Sequence, residues 1–298
     1  MLGYTKSRKS WKTNVFAWLL LLPSLVFLFL FTFYPIAKTI GLSLYQADLA
    51  TPVPQFVGLD NYTHLMDDSI FWKVMGNNLW FALGTVPTSL ALALLMAVFA
   101  NKALRGTGFL RTAFFYPTLI PMIAAANVWL FIYTPKYGLL SRFMQGIGQS
   151  DINWLGSPEY VMWAMVAMVV WKEAGYFMIF YLAGLQNISP ELYESAQVDG
   201  IGRWTVFRKI TFPLLMPTTL FVSIVALTNS FKLVDHLVIM TKGGPNNASN
   251  LLLYYIYETA FSFWDQGIAS TLTVVMIAVL LLVAALNFFG LDKKIHYH

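Results

Sequence analysis

The sequence predicts an all-α membrane protein, one domain carried by six transmembrane helices, and three observations support that class. First, 58% of the 298 residues are hydrophobic and 11% are charged, with a mean hydropathy of +0.62, against roughly 25% charged residues in soluble domains. Second, five long intervals carry no Lys, Arg, Asp or Glu: Thr13–Ala37, Val74–Asn101, Thr112–Pro135, Ile210–Phe231 and Gln266–Leu291. A sixth, Tyr160–Pro190, is interrupted only by the adjacent pair Lys172 and Glu173; each interval reaches the roughly 20 residues that cross a bilayer core. Third, the net charge of +5 is unevenly placed. Lys6, Arg8, Lys9, Lys12, Lys102, Arg105, Arg111, Arg203, Arg208, Lys209, Lys293 and Lys294 fall on one side of a six-span layout, while Lys38, Lys73, Lys136, Arg142 and Lys242 fall on the other. By the positive-inside rule both termini are cytoplasmic, so the basic excess reports topology and not a nucleic-acid partner.

The elements follow in order. Residues 1–13 read as a cytoplasmic tail and 14–36 as the first span. A basic stretch before an apolar run also describes a secretory signal, but this run exceeds such a core and Phe33-Tyr34-Pro35 offers no small-residue cleavage site, so the helix is expected to be retained. An outer loop punctuated by Thr51-Pro52-Val53-Pro54 leads to a second span at 75–100, and a short inner loop to a third at 111–134. The fourth span, 160–185, precedes an inner loop at 186–210, the one cytoplasmic loop long enough to hold structure. Spans at 211–233 and 268–290 complete the domain, taken as 14–291, before a short tail at 292–298. Between them Leu251–Phe263 is apolar but too short to cross, which suggests an interfacial or re-entrant helix. Pro23, Pro87, Pro117, Pro121, Pro213 and Pro217 fall within the spans and read as kinks of the kind membrane helices tolerate.

Polarity inside this apolar chain concentrates between Glu194 and Pro213. Ser189 suits an N-cap, Pro190 the first helical position and Glu191 the positive end of the helix dipole. Gly200 and Gly202 supply a stop and a turn, and a second helical pattern begins near Arg203. The expected shape is helix, tight turn, helix, facing the cytoplasm.

Glu194-Ser195-Ala196, Asp199-Gly200, Phe207, Ile210 and Pro213 resemble the EAA loop of binding-protein-dependent ABC importer permeases, with departures from alanine at Ser195 and Ile201. Phe56-Val57-Gly58-Leu59-Asp60-Asn61-Tyr62, and Gly243-Gly244-Pro245 followed by Tyr254-Tyr255-Ile256-Tyr257, resemble the carbohydrate branch of that family. The resemblance implies a type I ABC importer transmembrane domain whose hairpin docks on an ATP-binding subunit. Glu194 and Asp199 would meet basic groups there, Tyr193 and Phe207 would anchor the hairpin, and Ala196 and Gly200 would shape it. It further implies a second homologous permease subunit, two ATP-binding subunits that hold ATP and Mg, an extracytoplasmic solute-binding protein, a carbohydrate substrate and a prokaryotic inner-membrane location. An amphipathic helix lying on lipid would be rich in Lys and Arg, whereas this one carries Glu191, Glu194 and Asp199.

For the substrate path, Lys172 and Glu173 stand out because ionisable residues within a bilayer are expensive. Neighbours in sequence do not face each other on a helix, so each is expected to find a partner elsewhere, on a second subunit or in a water-filled cavity. In the resembled family the helices flanking the EAA loop line the path, which implies Tyr176, Asn229 and Ser230. Asn127 on the third span is a further candidate; for all of these, hydrogen bonding between helices is the competing use.

No G-x-x-x-x-G-K-[ST] motif occurs, so nucleotide hydrolysis is assigned to a partner and this chain is read as a non-enzyme that binds no cofactor. The absence of cysteine excludes thiol chemistry, and His64, His236, His296 and His298 lack metal-ligand spacing and read as solvated loop or tail residues. An ion-gradient-driven transporter is the alternative; it would call for repeated halves with interrupted helices, and no convincing repeat is present. Disaccharides, oligosaccharides and polyol phosphates all remain open as substrates.

Overall fold

A computed structural model describes residues 11–50, 53–101, 106–149 and 152–292, with side chains described from 14 to 286 within those limits. The predicted tail at 1–13 therefore lies largely outside the described residues. So do Lys102, Arg105, Lys293, Lys294, His296, His298 and the pair Thr51-Pro52.

Helix α1 (Trp11–Leu28) runs through a π-helical turn (Phe29–Phe33) into α2 (Tyr34–Leu42), with Pro35 in the first turn, where its missing N–H is harmless. The first span thus extends past the predicted limit of 36. Two residues on each side then pair as an antiparallel ribbon, β1 (Tyr45–Gln46) with β2 (Gln55–Phe56). The short helix α3 (Asp60–Asp67) leads to α4 (Ser69–Ala100), which starts six residues before the predicted second span because Asp68 caps it, accepting from the Ile70 N–H at 2.8 Å.

The third span departs most from expectation. Instead of one helix over 111–134 there are two, α5 (Thr107–Leu119) and α6 (Met122–Tyr133), bent 97° to one another. Ile120 is extended at ψ 128° and Pro121 follows it with no N–H to donate, so the helical ladder cannot continue. This is a break, where the proline had been read as a kink.

A single two-turn helix, α7 (Leu139–Gly146), occupies the outer connection before α8 (Val161–Gln186), the most buried span. The inner hairpin comprises α9 (Pro190–Val198), α10 (Arg203–Val206), a second π-helical turn (Phe207–Thr211) and α11 (Phe212–Leu214). It feeds α12 (Met216–Lys232), whose outer end continues as α13 (Asp235–Met240). The segment expected to be interfacial or re-entrant is α14 (Leu252–Phe261), packed on the last helix, α15 (Gln266–Asp292). Five helical stretches among the described residues are long and apolar enough to cross a membrane, and the number is six when the bent pair is counted as one span.

The core is built around α4 and α8, the most extensive pairing of the fold. Ala93, Ala97 and Ala100 on α4 are fully buried, and Gly84 brings α4 close enough to α8 that an added methyl would touch Val166 at 3.0 Å. Small residues at such interfaces let helices approach and gain dispersion contact where lipid supplies no hydrophobic drive. Helix α1 is the opposite case, since none of its described side chains is buried.

Candidate functional site

Two polar regions interrupt the apolar body. The first is the inner hairpin. Ser189 does occupy the N-cap of α9, with Pro190 after it, but its hydroxyl makes no capping bond; the expected side-chain cap is absent. The far end is closed by the backbone. The Ile201 N–H donates to the Ala196 carbonyl at 2.9 Å and the Gly200 N–H to the Gln197 carbonyl at 3.1 Å, with Gly200 at φ +69°. That pair of bonds is a Schellman turn, and glycine holds its left-handed position at no steric cost.

The turn sorts the hairpin into two faces. Ala196 is buried, and Tyr193 is half-buried with its hydroxyl 3.2 Å from that of Thr211, which ties α9 to the second arm. Phe207 is half-buried and stacks against Trp204 at 5.7 Å. A cleft of about 660 Å³ behind the hairpin is lined by Val98, Asn101, Leu185, Tyr193, Ile201 and Phe207, among others. Outward, Glu191, Glu194, Ser195, Val198 and Asp199 border a shallow hollow, and among the described residues none of the three carboxylates pairs with a cation. Val198 is 87% exposed and Trp204 73%. Acidic and apolar groups offered together, on a shape fixed by backbone bonds, suit docking against a partner with basic and apolar groups.

The second region lies halfway along α8. Lys172 is 7% exposed, and its ammonium donates to the carbonyls of Ile120 (2.7 Å), Thr118 (3.3 Å) and Pro117 (3.4 Å). In return the Thr118 hydroxyl donates to the Lys172 carbonyl at 3.2 Å. Placing a lysine at mid-membrane costs about 2.5–3.5 kcal/mol on insertion scales. A hydrogen bond to a charged group contributes roughly 1.5–3 kcal/mol, so two good ones offset that cost. The partner found is in this chain, at the break of the third span, where three carbonyls lie within 3.4 Å of the ammonium.

Glu173 points elsewhere, accepting from Asn229 Nδ2 of α12 at 3.1 Å. This partner, too, is within the chain. Thr85, Ser89, Glu173, Asn229 and Ser230 line one small cleft between α4, α8 and α12. Ser230 is buried and bonds its own helix at the Leu227 carbonyl (2.7 Å). Tyr176, half-buried one turn below Lys172, packs in an aromatic group with Phe177 and Phe180. Asn127 stands exposed on α6, donating to the Ile123 carbonyl at 2.9 Å, apart from that cleft.

The loop between α13 and α14 is structured and fastened to the N-terminal part of α4. Asn77 Nδ2 donates to the carbonyls of Asn247 (2.7 Å) and Asn250 (2.9 Å), Lys73 Nζ to that of Asn246 (2.5 Å), and Asn78 Oδ1 accepts from the Leu252 N–H (2.6 Å). The signal was the four-residue spacing of Lys73 and Asn77, one turn apart on a face of α4, with Asn78 next to it. On α14, burial raises the carboxyl of Glu258 above the usual range, and burial together with the Asp68 carboxylate, 2.7 Å away, raises the Tyr255 phenol. His236 corrects another expectation: it is fully buried on α13, stacked on Phe81 at 5.9 Å, and not solvated.

With this geometry in place the comparisons become specific. Residues 89–296 match the model of a family described as "Binding-protein-dependent transport system inner membrane component". The chain is 33% identical over 273 residues to a sulfoquinovosyl glycerol transport system permease protein of Agrobacterium fabrum, covering 91% of this chain and 89% of the relative. It is 31% identical over 298 residues to a lactose transport system permease protein of Rhizobium radiobacter, covering 97% and 99%. Its fold is similar to a chain in the crystal structure of a bacterial ABC transporter involved in alginate import, with a TM-score of 0.83, 23% identity, and coverage of 95% and 96%.

Proposed function

Because this chain belongs to the family of binding-protein-dependent transport system inner membrane components, we propose how its two polar regions serve import. The chain is a multi-pass permease subunit of an ATP-driven importer for a sugar or related carbohydrate, and it is not itself an enzyme. The acidic hairpin is the coupling element. Glu194 and Asp199 meet basic groups of an ATP-binding subunit, Tyr193, Ala196 and Phe207 hold the hairpin to the body, and Gly200 makes the reversal. ATP and Mg are held by that partner and none by this chain. Two such subunits, a second permease and an extracytoplasmic solute-binding protein complete the assembly in a prokaryotic inner membrane, with both termini of this chain cytoplasmic. The unburied α1 supports a second permease, since it leaves an apolar helix without a seat on its own body.

Transport then proceeds by alternating access. ATP binding draws the ATPase subunits together, the hairpins follow, and the permease pair opens outward; hydrolysis resets it. Glu173, Asn229 and Ser230, with Tyr176 and Asn127, line the path, where amide, hydroxyl and carboxylate groups bind sugar hydroxyls and aromatic faces cover apolar ring surfaces. The names of the relatives, one for a sulfoquinovosyl glycerol and one for lactose, support the carbohydrate class.

The observation that carries the coupling role is the exposed acidic face on a hairpin whose shape its own backbone sets. Glu194→Lys tests it in membrane vesicles holding the assembled importer. Uptake of radiolabelled sugar should fall about tenfold or more while membrane levels of the chain stay unchanged, as expected for reversing a charge at an interface. Uptake at the unsubstituted rate would remove Glu194 from the coupling role.

A further inference from the structure

We propose that Lys172 is a positioning residue: its ammonium caps the carbonyl end of α5 and thereby holds the third span in its bent form. The break orphans carbonyls in a predictable way. The Pro117 carbonyl would accept from residue 121 in a continuous helix, but Pro121 has no N–H, which leaves it one long bond from the Ile120 N–H (3.3 Å), and Ile120 turns extended before the ladder can reach Thr118. In lipid such groups must be satisfied internally. Lys172 reaches three of them, at 2.7, 3.3 and 3.4 Å, and brings positive charge to the negative end of the α5 dipole.

Two further contacts fix the ammonium in place. The Thr118 hydroxyl bonds the Lys172 carbonyl, so α5 and α8 are tied in both directions. One turn on, Gly175 lets the Phe114 carbonyl approach so closely that any Cβ would strike it. The lysine is thus set against the end of α5 by backbone contact.

The bend matters for what lies beyond it. Helix α6 carries Asn127, packs on α13, and is fastened at its outer end where the Tyr133 hydroxyl donates to the Ala164 carbonyl at 2.9 Å. Because Glu173 grips Asn229 of α12 from the next position, one peptide unit of α8 sets both the angle of α6 and the side chain of Asn229. Lys172 therefore acts on transport through helix placement and not by touching cargo, an inference that needs no assumption about the substrate.

The chain has no native cysteine, so Phe109→Cys and Phe131→Cys, at positions 77% and 57% exposed on α5 and α6, can carry spin labels. Distances between them would be measured in the assembled importer in lipid nanodiscs. Lys172→Met should broaden the distance distribution about twofold and lower sugar uptake about tenfold, because buried carbonyls lose their donors. Lys172→Arg, which keeps charge and donors, should preserve the distribution and roughly a third or more of uptake. An unchanged distribution in K172M, or K172R as damaged as K172M, would overturn the proposal. If K172M fails to accumulate in the membrane, Pro121→Ala provides the second test, since it restores an N–H for the Pro117 carbonyl. Recovery of membrane level in K172M/P121A is then expected, and no recovery would count against it.

Discussion

The hairpin at 186–211 and the seam around Lys172 handle polar groups in opposite ways. In the seam, Lys172 has three carbonyls, Glu173 has Asn229, and Thr118 has the Lys172 carbonyl, all inside one chain. In the hairpin the backbone closes itself at Gly200, while Glu191, Glu194 and Asp199 stand outward. Solvent explains the contrast. At mid-membrane an unpaired polar group has no water to fall back on, so it is satisfied locally or selected away. At the membrane surface water satisfies the carboxylates until a partner replaces it, so they can be held in reserve for docking.

Three substitutions probe that contrast. The largest effect is expected from Gly175→Leu, whose side chain would collide with the Phe114 backbone where α5 meets α8. Overpacking typically costs about 1–3 kcal/mol even where neighbours can shift, and backbone shifts poorly. The amount of membrane-inserted chain, read by immunoblot, should drop by about a hundredfold, and uptake with it. Next is Gly200→Pro, which cannot adopt φ +69° and removes the N–H that bonds Gln197. Uptake should fall more than about tenfold at unchanged membrane level; a matching loss of protein would break the distinction between a region that builds the body and one that serves a partner. The smallest effect belongs to Tyr193→Phe, which removes only the contact with Thr211 at 3.2 Å. A hydrogen bond of that kind contributes about 0.5–1.5 kcal/mol, so uptake should decline by less than about tenfold, and a complete loss would mean the hydroxyl itself meets the partner.

Much of this architecture could be read from residues alone. Charge-free intervals located the spans because the bilayer penalises charge wherever it falls, a rule with little dependence on tertiary context. The hairpin was legible for a local reason too: Pro190, Gly200 and Gly202 act on their own backbone. The break at Ile120 was not. Thr112–Pro135 reads as one uninterrupted apolar run, and whether Pro121 bends or breaks a helix depends on who receives the freed carbonyls. The receiver, Lys172, sits more than fifty residues away and had been weighed as a substrate contact. His236 was missed likewise, because its burial comes from Phe81 on another span. Ser189 shows the converse: it holds the right position, yet its hydroxyl makes no cap.

The turn at residues 196–201 has one more consequence. Its shape is written in two main-chain bonds and a single glycine, so the outward side chains of Glu194, Ser195, Val198 and Asp199 take no part in closing it. A lineage can rewrite those four letters to keep pace with a drifting motor protein, or borrow another system's motor altogether, without retooling the channel they are mounted on.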